Sequence, residues 1–548
     1  MLDEAQFNAI DNPEIKRVVQ QLANLLEKSL AENDELRAEV QRLRDENNRL
    51  KGEQGKPDIK PSKPAPKETS DHSSEKKRHK PATWKKDTKN DKIVVNRTQR
   101  LDASEMKMPD DVEFKGYNTV TIQNIKMVTD NVRFEIPKFY SPSTKKTYSP
   151  PLPKGYKGGF GPDLRAMILT LHHVGNVTQK SLLLLLTHAG IKISAGQISA
   201  FLTEKQELFH EEKIAIGHAG LAAAPWAQTD DTATRVNGVN QHSHVLVNPL
   251  FSLYTTLKKK DRLSVLSVLL NGTPLSFLLT QELLSSACVS NLPQKSQKAL
   301  KTWPLNTSLS ESEVADLLAT TMPTLAQQSK KNLLDRMAVA GYHCQTLTPI
   351  MSLLLSDDAP QFSAITDESA LCWVHDGRHY GKLTPRLPLH RTILEKFKDK
   401  YWKYYDRLLD YKKKPSLRMR KVLEKAFDAL FQAKSGYDQL DFRIQQTVKN
   451  KKELLQVLIH PEIPLHNNAS ELAVRRRVRK RDVSFGPRSE AGIKAWDTFQ
   501  TLLGTSYKLG ISFMDYVMDR ISGEFKMPSL ASVITERASE LNLGASWK

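Results

Sequence analysis

Cysteine is scarce: Cys288, Cys344 and Cys372 are the only three in 548 residues, and they stand far apart. That excludes a disulfide framework and a cysteine zinc knuckle, and it suits a reducing compartment. Long hydrophobic runs are missing as well. The densest, Ser181–Leu186, ends in five leucines and falls short of the roughly 18 residues of a membrane span, so no membrane partner is expected. The opening Met1-Leu2-Asp3-Glu4-Ala5 is acidic, so no secretory leader is expected. What the chain does have is positive charge, 81 Lys and Arg against 62 Asp and Glu, a net +19. Such a balance attracts polyanions over long range, and nucleic acid is the first candidate. At roughly 100–200 residues per domain, the length allows three or four domains.

A heptad pattern opens the chain. Ile15, Leu22, Ser29, Leu36, Leu43 and Leu50 recur every seven residues, with Val19, Leu26, Asn33, Val40 and Asn47 offset by four. Read as d and a positions, they predict a parallel two-stranded coiled coil over 12–51 and hence a homodimer. Asn33 and Asn47 would fix register and strand number. The alternative is an amphipathic helix packed on its own domain. Residues 52–91 are Lys-, Pro- and Ser-rich with almost nothing apolar, which predicts a disordered basic linker. In 92–160, alternation in Thr119–Gln123 (Val120, Ile122) and Val132–Pro137 (Val132, Phe134, Ile136) predicts short strands in a small β-rich module. Helical patterns follow over Leu164–His173, Thr178–His188 and Ser194–Leu208, a helix-turn-helix-like bundle within 161–215 with Ser194 capping its third helix.

Acidic pairs then appear at strand-like runs. Asp230-Asp231 lies in the first of three predicted meander strands within 222–271, and Asp357-Asp358 follows the apolar run Ile350–Leu355. A further strand is expected over Ala370–His375, with a helix from near Gly377. Meander strands followed by strand–helix–strand–helix predict an α/β fold, a mixed sheet flanked by helices. Two carboxylates ending adjacent strands repel each other unless a cation lies between them, so they read as magnesium ligands. Asn467, Glu471 and Arg475 recur every four residues and share one helix face, where Glu471 can close a metal site and Arg475 can hold a phosphate. The next residues, Arg475-Arg476-Arg477-Val478-Arg479-Lys480-Arg481, are six basic in seven. Taken singly, each acid is also a turn signal, a helix cap or a solvated charge, and an Arg run is also a surface stripe. Residues 396–425 carry 12 Lys and Arg against 4 acids around Tyr401-Trp402-Lys403-Tyr404-Tyr405. That pattern suits a DNA-binding helix whose rings stack on bases, and equally a helical insertion with an aromatic core edge.

These blocks resemble the transposases of the insertion sequence 66 family. Asp230-Asp231-Thr232 is similar to the family's Asp-Glu-Thr strand motif, continued by Asn237-Gly238-x-Asn240-Gln241. Ser356-Asp357 resembles its second Asp block, and Cys372-Trp373-Val374-His375-Asp376-Gly377-Arg378 its Cys-Trp-x-His-x-Arg stretch. Asn467-Asn468-Ala469-x-Glu471-x-Ala473-x-Arg475 resembles its Asp-Asn-Asn-x-x-Glu-x-x-x-Arg helix, and Ser489-Glu490-Ala491-Gly492 and Leu509-Gly510-Ile511-x-x-x-x-Tyr516 also match. The departures are His466 for Asp, Asp231 for Glu, Asp358 for Gly, the Asp376-Gly377 pair, and a 92–160 module without the family's cysteines.

The resemblance implies an RNase H-like mixed-sheet catalytic core with helical insertions and an Asp-Asp-Glu triad of Asp230, Asp357 and Glu471. Two Mg²⁺ ions would serve as cofactor, with Mn²⁺ as a substitute. The core would comprise 222–271, 346–384 and 465–522, interrupted by a helical insertion at 272–345 and a basic one at 385–464 and followed by a tail at 523–548. Implied partners are terminal inverted repeats, target DNA and accessory proteins of the same element, in a cytoplasmic, nucleoid-associated setting. The expected nucleic-acid contacts are Arg475, Arg476, Arg477, Arg479, Lys480, Arg481, Asn467, His375, Arg378, Trp402, Lys412, Lys413 and Lys414. His375 has a second reading as a histidine packed near Trp373. Two other functions stay open at this point: a noncatalytic DNA-binding regulator, and an RNase H-like nuclease that cuts without joining.

Overall fold

The heptad pattern gives one continuous helix, α1 (Pro13–Leu50), in the computed structural model, which describes residues 4–51, 93–102, 112, 116–125, 128–432 and 434–547. Its heptad stripe is open to solvent, with Ile15, Leu22, Leu26, Leu36, Val40 and Leu43 all exposed. The opposite face is docked. Ala23 and Glu27 are buried, and the Glu27 carboxylate accepts hydrogen bonds from the backbone N–H groups of Arg386 and Leu387 and lies 3.1 Å from His390 Nδ1. Asp34 pairs with Arg386 at 3.1 Å, and Asn24 donates to Gly436 O. One face of the helix therefore packs on the chain's own 385–464 segment while the heptad stripe is left uncovered. The linker expected at 52–91 lies outside the described residues.

The strands expected at Thr119–Gln123 and Val132–Pro137 are absent among the described residues. Val120 and Ile122 are 80% and 82% exposed, so the alternation has no core to face. Instead a short antiparallel hairpin joins Phe139–Ser141 to Lys146–Tyr148. Three helices follow: α2 (Pro162–His173), α3 (Gln179–His188) and α4 (Ala195–Thr203). The Thr178 and Ser194 hydroxyls cap α3 and α4 by accepting from the N–H groups of Ser181 and Gln197. The third helix is shorter than expected, because the chain breaks at Glu204 and restarts as the helix Glu207–Ala222. Ile168, Leu186 and Ile198 of this bundle belong to the same buried core as the sheet.

The sheet has five strands: β1 (Trp226–Val236), β2 (Val239–Val247), β3 (Ser252–Leu257), β4 (Leu353–Ser356) and β5 (Glu368–Leu371), in the order β3-β2-β1-β4-β5. The first three are antiparallel, with Asn237 and Gly238 supplying the two positive φ angles of a tight hairpin turn; β4 and β5 join in parallel. The crossover from β3 to β4 contains α5 (Arg262–Leu269) and α6 (Gln327–Cys344). The strand expected through His375 ends at Leu371. Cys372 Sγ accepts the N–H of His375, so α7 (Trp373–Gly381) begins four residues before Gly377. Then come α8 (Pro388–Lys413), α9 (Asn468–Ser484) and α10 (Glu490–Leu509). The expected tail also forms a helix, α11 (Leu530–Leu541), with Leu530 and Ile534 fully buried.

Helices cover both faces of the sheet. Ala227, Leu246, Leu253 and Leu354 pack into the core shared with the bundle, while Trp226, Leu353, Leu355 and Ala370 pack against the 385–464 segment. Burial on both sides explains why β4 reads as an unbroken Leu run rather than an alternation. The free edge of β3 is sealed by α10. The N–H groups of Ser252, Tyr254 and Thr256 donate to Thr505 Oγ1, Thr501 Oγ1 and Asp497 Oδ2 at 3.2, 3.0 and 2.7 Å. Four residues of helix advance about 6.0 Å and two of strand about 6.6 Å, so the two ladders stay in step.

Arg477 joins α9 to this seam. It is fully buried, pairs with Asp497 at 3.1 Å, donates to Thr256 Oγ1 at 2.7 Å and lies 4.8 Å from the Trp496 ring. Among the described residues no helix is long and apolar enough to cross a membrane. Arg477→Met is expected to lower the unfolding free energy by about 3–5 kcal/mol in urea, since Asp497 would stay buried without its partner. Glu27→Gln is expected to speed amide hydrogen exchange across residues 14–34 while leaving the sheet strands as protected as before.

Candidate active site

Successive residues of a strand point to opposite faces, so β1 separates Asp230 from Asp231. Asp230 shares its face with Gln228, whose Oε1 accepts the N–H groups of Ala469 and Ser470 at 3.2 and 3.4 Å. Gln228 thus caps α9 from a neighbouring element, satisfying N–H groups that the helix cannot pair internally. Asn467 Nδ2 donates to Thr229 O at 2.8 Å, and its own N–H donates to Cys372 Sγ at 3.2 Å. These ties fix the first turn of α9, and with it Glu471, over β1. In the parallel pairing of β1 with β4, Gln228 stands opposite Leu355. The same offset carries Asp230 to the side of Asp357.

Electrostatics report the same convergence. Burial, above all, pushes the Asp230 carboxyl from 3.8 up to about 7, and the charges of Asp357, Asp231 and Glu471 push the same way against the hydrogen bond from the Asp231 N–H. Burial likewise raises Asp357, with Asp358 and Asp231 adding to it. Asp357 Oδ1 accepts from the Ala359 N–H at 3.2 Å. Glu471 is held differently: Arg378 grips both carboxylate oxygens, at 3.1 and 3.3 Å, and His375 Nδ1 lies 3.7 Å away. Of the doubled acids, Asp231 accepts from Gln361 Nε2 at 2.9 Å on the other face, and Asp358 stands 3.6 Å from His379. Among the described residues no group of three or more His, Cys, Asp or Glu is gathered tightly enough to hold a metal ion. The donor type nevertheless fits a hard divalent cation, because buried carboxylates held near other acids are those a cation would relieve. The third carboxylate, Glu471, is occupied by Arg378.

The basic residues divide into two groups. Arg477 and Lys480 are buried, as is Asn467, so none of the three can present itself to DNA as the sequence suggested. Lys480 donates to His172 O at 2.6 Å, and burial lowers its amine to about 7. Arg481 donates to Ala233 O, Arg476 lies over the Tyr507 ring, and Lys412 donates to Ile463 O. Tyr401, Tyr404 and Tyr405 are core residues, and Trp402 fills the space where a Cβ on Gly377 would stand, which explains glycine there. The aromatic edge of α8 is therefore packing, in line with the second of its two readings. Arg475, Arg479, Lys413 and Lys414 are exposed, and His375 and Arg378 stand beside Glu471.

Sequence reasoning missed Gln228, Gln361 and Cys372 as positioning residues. Gln228 carried a readable signal, two places before Asp230 on the same strand face. Gln361 carried none, because its partner is distant in the chain, and a cysteine is not a residue that capping patterns single out, so the local His375 contact of the Cys372 sulfur went unread. Asp376, noted only as a departure, forms a buried network with Arg443, Thr447 and Tyr401.

The raised Asp230 carboxyl has a pH signature. Between 3.8 and about 7 the folded state binds a proton that the unfolded state has released, so stability falls as pH rises through that window. Asp230→Asn removes the effect. In metal-free buffer the variant is expected to gain on the order of 2–4 kcal/mol over wild type at pH 8 and to match it near pH 4, read by chemical denaturation.

Comparison with known proteins bears on the same region. The family described as Transposase IS66 family matches residues 342–495, a span that contains Asp357, Arg378 and Glu471. An uncharacterized protein of Sinorhizobium fredii, y4jO, is 32% identical over 335 residues, covering 59% of this chain and 99% of that protein. The acidic helix, the strand-end Asp and the arginine that grips Glu471 thus fall inside a shared block, and the chain belongs to the transposase IS66 family.

Proposed function

We propose that this protein is a DNA transposase that cuts the ends of its element and joins them to target DNA by phosphoryl transfer. The observation that supports this reading is the convergence of Asp230 and Asp357, from adjacent parallel strands, with Glu471 from the first turn of α9, acids 127 and 114 residues apart whose charges both bear on the Asp230 carboxyl, in a chain of this family. The strand order β3-β2-β1-β4-β5, antiparallel then parallel, is consistent with an RNase H-like core. Asp230, Asp357 and Glu471 would hold two Mg²⁺ ions, which, when bound, supply water activation and stabilisation of the leaving 3′ oxygen.

The chain's own residues do the rest. Asp230 acts from β1 and Asp357 from the residue directly after β4, so the register of the two strands sets their spacing. Glu471 comes from a helix start tied down by Gln228 and Asn467. Arg378 keeps the Glu471 charge compensated until the site is loaded, and then becomes available to a phosphate oxygen as a planar two-pronged donor. Arg475, exposed one turn beyond Glu471, faces the substrate backbone. Burial holds His375 below its ordinary value, so at neutral pH it offers a neutral imidazole to the site. No side chain needs to act as a covalent nucleophile, because water and then the freed 3′-OH attack phosphorus directly. The uncovered heptad stripe of α1 supports pairing of two copies, which would bring two DNA ends together.

The test is strand cleavage and joining of end DNA with Mg²⁺. Wild type is expected to do both. Asp357→Asn and Glu471→Gln are each expected to lose more than about 100-fold in rate while still binding DNA, since even outer-shell partners of a metal cost 10–100-fold. Cleavage without joining by wild type would favour the nuclease, and binding without chemistry the regulator.

A further inference from the structure

Beside the acid cluster, on the face of β1 that carries Asp231, lies a cavity of about 580 Å³. Gln361 is the shared wall: its amide donates to Asp231 at 2.9 Å, and its side chain also lines the cavity. The far walls are the loop Lys258-Lys259-Lys260 and helix α6, which contributes Lys331 and Asn332. The loop is held in place from behind. His244 of β2 contacts Lys259 O at 3.0 Å, and Asp261 caps α5 by accepting the Ser264 N–H at 3.0 Å.

The charges here do not cancel. Arg262 pairs with Asp335 at 3.1 Å and spends its other donors on Pro360 O and Ser363. Asp261 is committed to the start of α5. That leaves Lys258, Lys259 and Lys260, all exposed, outside any ion pair among the described residues, and Lys331, also exposed, which shares the Asp335 charge with Arg262. A small-molecule pocket is mostly apolar with a few placed polar groups, and this one is ringed by hydrated ammonium groups. Several uncompensated lysines on a fixed loop suit a chain of phosphates, each able to find its own partner.

We propose that this cavity is a phosphodiester-binding site that takes the nucleotides immediately flanking the scissile bond, with Lys259, Lys260 and Lys331 as the phosphate contacts. Asp231, which the cavity wall Gln361 holds, adds its charge to both Asp230 and Asp357, so the cavity adjoins the acids. The inference rests on the transposase reading for DNA as the ligand and for the scissile bond beside which it is bound. No metal is needed for the binding it describes.

The test is ethylation interference and salt-dependent binding of end DNA without divalent metal. The comparison is between wild type and the triple variant Lys259→Ala, Lys260→Ala, Lys331→Ala. Wild type should show interference at one or two phosphates next to the scissile bond, and the variant should lose it. The slope of log K against log salt should shrink by roughly 2–3 for three lost phosphate contacts. The matched variant Lys259→Arg, Lys260→Arg, Lys331→Arg should keep both features. An unchanged pattern and slope in the alanine variant overturns the site and leaves the transposase reading standing. Loss of both features in the arginine variant also overturns it, since the charge was retained. A wild type with no salt-dependent affinity for DNA overturns the DNA reading and this site together.

Discussion

The buried pair of Arg477 and Asp497 sets the geometry on which the rest of the core depends. A guanidinium taken wholly out of water is tolerable only with its charge answered, and Asp497, Thr256 and the Trp496 ring answer it through Nη2 and the ring face, while Nε and Nη1 stay without a hydrogen-bond partner among the described residues. The three partners come from the helix that seals the sheet and from the strand it seals. Arg477 itself lies on α9, six residues after Glu471. Satisfying that one side chain therefore fixes the roll of α9, which decides where the Glu471 carboxylate arrives. Lys480 adds a second anchor by reaching His172 O in the bundle. What looks in sequence like a charged surface stripe is in part the fastening between three layers of the molecule.

At the site, attraction and repulsion are kept close together. Asp230 and Asp357 are drawn beside each other by strand register, which ignores their mutual repulsion. Burial first, and the neighbouring charges after it, make both carboxyls hold their protons above the usual range. Glu471 avoids that fate because Arg378 is within reach from α7. The arginine is itself placed by the turn in which the Cys372 sulfur accepts two backbone N–H groups, those of His375 and Asn467. A thiol, a strand amide and an asparagine, none of them chemically reactive here, thus decide the relative positions of the acids.

Much of this was legible in the sequence wherever local pattern and final environment agree. The three meander strands, the Leu run of β4 and the bundle helices with the Ser194 cap were readable, because periodicity and capping are local properties. The strands expected at Val120 and Val132 failed because alternation predicts a strand only if something covers one face. Cys372-Trp373-Val374-His375 read as strand because its residues favour β structure. A helix won there through the sulfur cap and through burial of Trp373 against Tyr401 and Tyr404. The three acids could be named from the resemblance, and the fate of the basic run could not. Whether an arginine faces water or Trp496 depends on α10, which is not written in the run itself. The same holds for α1, whose Glu27 face makes sense only beside the Arg386–His390 turn.

The closed edge of β3 has a consequence for how copies of this chain can meet. Every second amide along that strand already has a side-chain acceptor from α10, so no incoming strand can hydrogen-bond there without evicting Thr505, Thr501 and Asp497. Growth by adding sheet to sheet at this border is blocked, and copies of the chain that meet on this side do so through the helical surface of α10. That border is thereby protected from the edge-to-edge stacking that threatens open β structure, and on that side the sheet stays a private frame for the acids it carries.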